Sequence, residues 1–290
     1  MYAKKTISPF FALLMAAGIW FSSCTDTSTI PAYLNIPTMQ LLTQSGQGSA
    51  SHNIKNVWVF VNSQSLGVYE LPASVPVLEE GNARITLRAG IMNNGISATR
   101  SIYPFYAADT FNIQLAPEET VSRNSLVRYS ASTAFALIAD FEVGNGFADT
   151  NPNLTQLTLT TNPNLVFEGN RSATLTINEV NPFFEIGTIE SYTLPGNKIA
   201  VYLEMNYKCD ESFLVAVKGT DISGNIAILP QLFVNRKTEW NKIYIDLTET
   251  VSNLNLQGFK NIQILFKGEL PGSVTQASYF WDNIKILYLN

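Results

Sequence analysis

From about residue 32 onward the chain is written in short alternating runs. In "NARITLRAGI", Ile85, Leu87 and Ala89 alternate with Arg84, Thr86 and Arg88. A period of two sends one set to a buried face and the other to water, which predicts a half-buried strand. "VWVFVNSQSLGVYEL" predicts strands over 57–61 and 67–71, joined through the turn formers Asn62, Ser63, Gln64 and Ser65. "LTQLTLTT", "SATLTINE", "IAVYLEMNYK", "SFLVAVKGT", "NKIYIDL", "NIQILFKG" and "FWDNIKILYL" continue the theme, and none carries a helical period. Many short strands bounded by turn residues predict an all-β sandwich or jelly roll.

The alternation lapses in "PEETVSRNSLVRYSAS", where a proline and polar neighbours take over. A boundary placed there gives a small immunoglobulin-like or transthyretin-like β-sandwich over 31–116, a linker over 117–133, and a larger β jelly roll over 134–290. Before residue 31 the pattern differs. "MYAKKTISPFFALLMAAGIWFSSC" has Lys4 and Lys5, an apolar run from Phe10 to Phe21, then small residues and Cys24. That is the layout of a secretory signal over 1–23, too short and wrongly flanked for a membrane span. Residues 24–30 then form a short polar tether.

Composition fits an extracytoplasmic β protein. Charged residues make up 14% of the chain, against roughly a quarter in an average soluble protein. A net charge of −5 with no basic run argues against nucleic acid as a partner, because phosphate contacts need clustered lysine and arginine. Catalytic chemistry has little to draw on. His52 is the only histidine and stands in the polar stretch "GSASHNIK", which disfavours a Ser/His/Asp triad or a histidine-rich zinc site. "FEIGTIE" holds Glu185 and Glu190 without the alternating triple-acid spacing of a glucanase strand. "EVGNGFAD" lacks the lysine and helix of a phosphate loop. Cys209 reads as a free, buried thiol. The chain is therefore expected not to be an enzyme.

One residue resists this reading. Asp282 lies among Tyr279, Phe280, Trp281, Ile284 and Ile286, where an unpaired carboxylate would cost several kcal/mol of desolvation, on the order of 2 to 7 for even a neutral polar group.

Several stretches resemble known families. "FSSC" resembles the lipobox of bacterial lipoproteins, departing from it in Phe21 where leucine is usual. The resemblance implies a lipidated N-terminus at Cys24 and an outer-membrane location, on a face the sequence does not identify. Acyl chains contribute about 0.8 kcal/mol per buried methylene. "LIADFEVG", "FEGNRSATLTI", "VYLEMNYKC", "EWNKIYIDLT" and "SYFWDNIKIL", in that order, resemble jelly-roll carbohydrate-binding modules and their galactose-binding-like relatives. That resemblance implies a structural Ca²⁺ held by Glu142 and Asp282, with Asp140 as a further candidate, stapling the two ends of the jelly roll. It also implies aromatic residues for sugar stacking, for which Trp240, Tyr192, Phe183 and Phe184 are the candidates. "WVFVN", "LGVYELP", "GNARITLRAGI" and "NNGISATRSIYPFY" resemble a segment of Bacteroidota outer-membrane lipoproteins, some of them accessories of the type IX secretion and gliding apparatus. The expectation is a non-catalytic, lipid-anchored accessory subunit contacting an outer-membrane protein, with cell-surface glycan binding as the alternative.

Overall fold

The computed structural model describes residues 30–144, 146–151 and 154–290. The signal segment and Cys24 lie outside the described residues. The expected all-β class holds, arranged as two β-sandwiches in sequence.

The smaller sandwich is built from β1 (Ala32–Ile36), β2 (Met39–Leu42), β3 (Asn56–Val61), β4 (Gln64–Glu70), β5 (Ala73–Val77), β6 (Gly81–Met92), β7 (Arg100–Ile102), β8 (Asp109–Leu115), β9 (Thr120–Ser122) and β10 (Ser125–Arg128). One layer runs β4-β3-β6, with β7 and β8 on opposite halves of the long β6; the other holds β5-β1-β9 and the pair β2-β10. The alternation in β6 buries Ala83, Ile85, Leu87 and Ala89 as the sequence requires. The β3–β4 turn is tighter than the sequence suggests. Asn62 and Ser63 alone make it, both at positive φ (48° and 70°), which matches the right-handed twist of the flanking strands. Residues 117–133, expected as a linker, instead contain β9 and β10, which pair in parallel with β1 and β2. They look unlike strands because each is short and lies at a sheet margin, with one apolar residue, Val121, in β9 and two adjacent ones, Leu126 and Val127, in β10.

The larger sandwich comprises β11 (Thr133–Ala139), β12 (Phe147–Asp149), β13 (Thr158–Thr160), β14 (Ser172–Asn178), β15 (Phe183–Thr188), β16 (Tyr192–Thr193), β17 (Val201–Cys209), β18 (Phe213–Thr220), β19 (Ile226–Val234), β20 (Lys237–Asp246), β21 (Asn261–Glu269) and β22 (Gln276–Leu289). Its inner sheet, facing the smaller sandwich, runs β13-β14-β22-β17-β20 with β11 also on β22. Its outer sheet runs β12-β15-β21-β18-β19 with β16 also on β21. Between them Trp281 stacks on Phe266 at 5.7 Å and Tyr279 at 6.0 Å, with Phe184 and Phe213 edge-on or tilted. The helix α1 (Thr248–Leu256), not expected from the sequence, plugs one end of this core with Val251 and Leu254. Of its three apolar residues in nine, Leu256 is exposed, and the remaining two are too few to set a helical period, so only packing reveals it.

Asp282 marks a defect in β22. Ala277, Tyr279 and Trp281 point into the core, then the phase shifts and Ile284 and Ile286 do. Asn283 takes φ 47°, and the register against β17 slips between Asn206↔Asp282 and Glu204↔Lys285. At this bulge β22 exchanges partners, from β14 before it to β11 after it. A bulge of this kind leaves ladder groups unpaired, and the carboxylate occupies the gap. Its Oδ2 accepts from Ser172 Oγ at 2.6 Å and from the Glu168 amide at 3.3 Å, and its Oδ1 accepts from the Asn283 amide at 2.7 Å. Burial pushes the Asp282 carboxyl up to about 6 despite these bonds.

Candidate functional site: the open face of the larger sandwich

The larger sandwich has two outward faces, and only one is available. Along β17, β20 and β22 the outward residues Tyr202, Tyr244 and Leu287 join the hydrophobic core of the smaller sandwich. Beside them Glu204, wholly buried, accepts from Tyr103 Oη at 2.7 Å and Tyr129 Oη at 3.0 Å, and pairs with Lys242 Nζ at 3.0 Å. Lys285 Nζ donates to Tyr129 Oη at 3.1 Å and to the Ser49 carbonyl at 2.6 Å. Burial alone would raise the Glu204 carboxyl, but the Lys242 and Lys285 charges and the Tyr103 hydroxyl hold it below the usual range. Burial lowers the Lys285 ammonium to about 8, with Glu204 opposing the shift. The turn at Asn94 closes the junction, its amide donating to the Tyr244 carbonyl and its side chain accepting from the Asp246 amide.

The outer sheet is uncovered. Strand alternation in β15 sends Phe184 and Ile186 inward and Phe183 and Glu185 outward. The register then lines up Glu185, Lys267, Leu214 and Phe233 across four strands, with Phe183 beside Glu269 in the next row. These residues form an open groove of about 500 Å³. Phe183 is 45% exposed and Phe233 69% exposed. Lys267 Nζ lies 2.6 Å from Glu185 Oε2. Partial burial would raise the Glu185 carboxyl, but hydrogen bonds from Lys267 and Thr150 bring it below the usual value. The general acid of a glycoside hydrolase is held protonated, the opposite of the Glu185 environment.

The four aromatic candidates therefore separate. Phe183 lines the groove. Phe184 does not: it is buried, 4.8 Å from Tyr279 and 5.8 Å from Trp281, because adjacent strand residues face opposite ways. Tyr192 pairs with Ile262 at the far end of β21 from Phe183, which pairs with Glu269; at about 3.3 Å per residue the two are roughly 20 Å apart. Trp240 sits on β20 of the inner sheet, packed between Phe167 at 5.3 Å and Phe280 at 6.4 Å. Leu214, Phe233 and Lys267 were not singled out from the sequence. "IAILPQLFV" is nearly all apolar, which hides its outward residues, and the one signal is Pro230, a residue tolerated on an edge strand such as β19.

The calcium ligands do not assemble into a cage. Glu142 Oε1 accepts from the Asn170 and Arg171 amides at 2.6 and 2.9 Å, and its Oε2 from Asn170 Nδ2 at 3.1 Å. Asp140 Oδ1 accepts from the Glu142 amide at 3.1 Å. The loop that serves Glu142 also supplies the Glu168 amide to Asp282, so both carboxylates already accept from backbone N–H groups. Asp140, Glu142 and Glu168 border one open cavity of about 430 Å³. Among the described residues, however, no three His, Cys, Asp or Glu side chains come together to hold a metal. Calcium binding needs six to eight oxygens, and these residues as placed do not fit it. Cys209 is free and buried, its thiol pushed up to about 11 by burial. No helix among the described residues is long and apolar enough to cross a membrane.

No family model matches the chain, and no curated protein does. Among solved structures it is similar to the CBM22-1 xylan-binding domain of Paenibacillus barcinonensis Xyn10C, at 14% identity over 56% of this chain and 98% of that one, with a TM-score of 0.40. It is similar to the family 11 carbohydrate-binding module of the cellulosomal cellulase Lic26A-Cel5E of Clostridium thermocellum, at 13% identity over 54% and 95%, TM-score 0.37. A third likeness, to a carbohydrate-binding module of the β-sandwich superfamily, covers 80% of this chain and 84% of that one at 15% identity, TM-score 0.34.

Proposed function

We propose that this protein is a non-catalytic, glycan-binding lipoprotein, anchored to the outer membrane through Cys24, that holds polysaccharide on the open face of its larger sandwich. The observation that carries the reading is the groove itself. Two exposed phenylalanines flank a Glu185–Lys267 pair on the sheet of the larger sandwich that the smaller one leaves uncovered. Aromatic rings offer flat apolar surface to the C–H faces of sugars, and the carboxylate and ammonium offer an acceptor and a donor to hydroxyls.

The test is a glycan array followed by affinity electrophoresis with wild type, Phe183→Ala and Phe233→Ala. Retardation by a polysaccharide that weakens about 3- to 10-fold in each variant, the size of an aromatic contact, supports the reading. Wild-type mobility in every polysaccharide gel overturns it. Anchoring is checked separately by fatty-acid labelling, which Cys24→Ala should abolish.

A second reading, an accessory subunit of an outer-membrane assembly such as the type IX machinery, is favoured by a different observation. Ile222, Ile226 and Ile228 on and beside the β18–β19 hairpin are 100%, 58% and 44% exposed, and branched aliphatic side chains present no stacking face to a sugar. A stoichiometric outer-membrane protein in a mild-detergent pull-down, lost in Ile226→Ser/Ile228→Ser, would favour it over the first.

A further inference from the structure

Phe233 borders a second cavity, which the groove described above does not include. This one, of about 240 Å³, lies at the junction of the two sandwiches. Its floor is Lys242, Tyr244 and Tyr207 from the larger sandwich, and its walls include Asn53, Lys55 and Asn94 from the smaller one. Lys237 and Asn241 also line it, beside the apolar Met92, Leu232 and Ile243, and the lining contains three lysines and no carboxylate. Lys55 and Lys237 are exposed at the rim. Lys242 is buried, and its carboxylate partner Glu204 also answers the charge of Lys285, so the buried cluster retains excess positive charge. Burial, then the Lys242 and Lys55 charges, also hold the neighbouring His52 imidazole below its ordinary value. In a chain of net charge −5 this is a local positive field bordered by the side-chain amides of Asn53, Asn94 and Asn241.

We infer that the junction cavity is a carboxylate subsite, and that the polysaccharide held in the groove is an acidic one whose uronic acid group enters between Lys55 and Lys237, with the buried Lys242 adding positive field from beneath. The inference rests on the glycan reading above and narrows it to a substrate class. Phe233 is common to both linings, so a sugar packed on that ring lies at the mouth of the cavity. Lysine ammonium groups supply charge-assisted hydrogen bonds to a carboxylate, while Asn53, Asn94 and Asn241 suit the adjoining hydroxyls. A neutral sugar would leave the Lys55 and Lys237 ammonium groups without an anion, and partial enclosure makes that loss larger than it would be at an open surface.

The experiment is isothermal titration of the full-length protein in mild detergent with polygalacturonate, its fully methyl-esterified form, neutral xylan and dextran sulfate, at fixed ionic strength. The wild type is expected to bind polygalacturonate at least ~10-fold more tightly than the esterified polymer, about the size of one charge-assisted hydrogen bond. Lys55→Gln/Lys237→Gln, two exposed positions whose replacement should leave the melting curve unchanged, is expected to shrink that gap to ~2-fold or less, the range of a solvent-exposed charge contact. Equal affinity for the acid, ester and neutral polymers would overturn the carboxylate subsite and leave the glycan reading standing. No binding to any polysaccharide would overturn both. Dextran sulfate binding as tightly as polygalacturonate and unaffected by Phe233→Ala would replace the subsite with unspecific polyanion contact.

Discussion

The two outward faces of the larger sandwich use their residues in opposite ways. On the inner sheet the outward positions hold Glu204, Lys242 and Lys285, among the costliest groups to bury, and the smaller sandwich seals them beneath Tyr103, Tyr106 and Tyr129. On the outer sheet they hold Phe183, Phe233 and Leu214, and nothing covers them. Hydrophobicity alone would assign the faces the other way round. What separates them is satisfaction: every charge on the sealed face has a partner, whereas the phenylalanines of the open face are left for a ligand.

The comparison breaks most visibly at its charges. Glu204→Ala should destabilise the protein by about 3 to 5 kcal/mol, because two buried ammonium groups lose their carboxylate. Glu185→Ala, which breaks the half-exposed pair with Lys267, should cost at most about 1 kcal/mol. Urea denaturation of both variants reads the difference, and equal costs would mean that the seal over Glu204 admits water.

Adjacent phenylalanines give a second contrast. Phe184→Ala should cost about 3 to 5 kcal/mol by leaving a cavity beside Trp281. Phe183→Ala should move stability by about 0.5 kcal/mol or less and show instead in glycan affinity.

Two titrations should run with opposite signs. The Asp282 carboxyl, raised from 3.8 to about 6, binds its proton more tightly folded than unfolded. Its stabilising contribution is therefore present below about pH 4 and lost as pH rises towards 6, by roughly 2 to 3 kcal/mol, and Asp282→Asn should remove that slope. The Lys285 ammonium, lowered from 10.5 to about 8, binds its proton less tightly folded. Stability should therefore climb from about pH 8 to 10.5, as deprotonation leaves Glu204 with Lys242 alone, and Lys285→Met should flatten the climb. Melting temperatures across pH for the three proteins check both.

The smallest expected effect is that of calcium. With the Glu142 and Asp282 oxygens already accepting from amides and a hydroxyl, 1 mM CaCl₂ or EDTA should leave the melting temperature within ~1 °C, since an ion that does not bind the native state confers no stability. A rise of several degrees would show that the Glu168–Arg171 loop yields its carboxylates to a metal.

Strand positions were legible because a period of two is a local signal, as in β6. The junction was not. Tyr103, Tyr129 and Glu204 are 26 and 75 residues apart in successive order along the chain and meet only through packing. Glu204 in "VYLEMNYK" reads as the wet member of an alternating pair until a second sandwich covers it. β9 and β10 were lost for a related reason, since a three- or four-residue margin strand has too few positions to show a period. Asp282 was recognisable as an anomaly. Its explanation, a partner exchange in the middle of β22, depends on which strands flank it and so on the finished sheet.

That exchange also bears on the order of assembly. Thr133 of β11 pairs with Leu289 of β22, and Asn178 of β14 with Gln276. A ribosome must therefore release β22 before β11, β14 and β17 can be joined. Loop-closure entropy has to be met across most of the larger sandwich before its central contacts form. The slow step in reaching the native state should thus be the insertion of one late strand into a waiting gap, with three unpaired edges open to chaperones until it arrives.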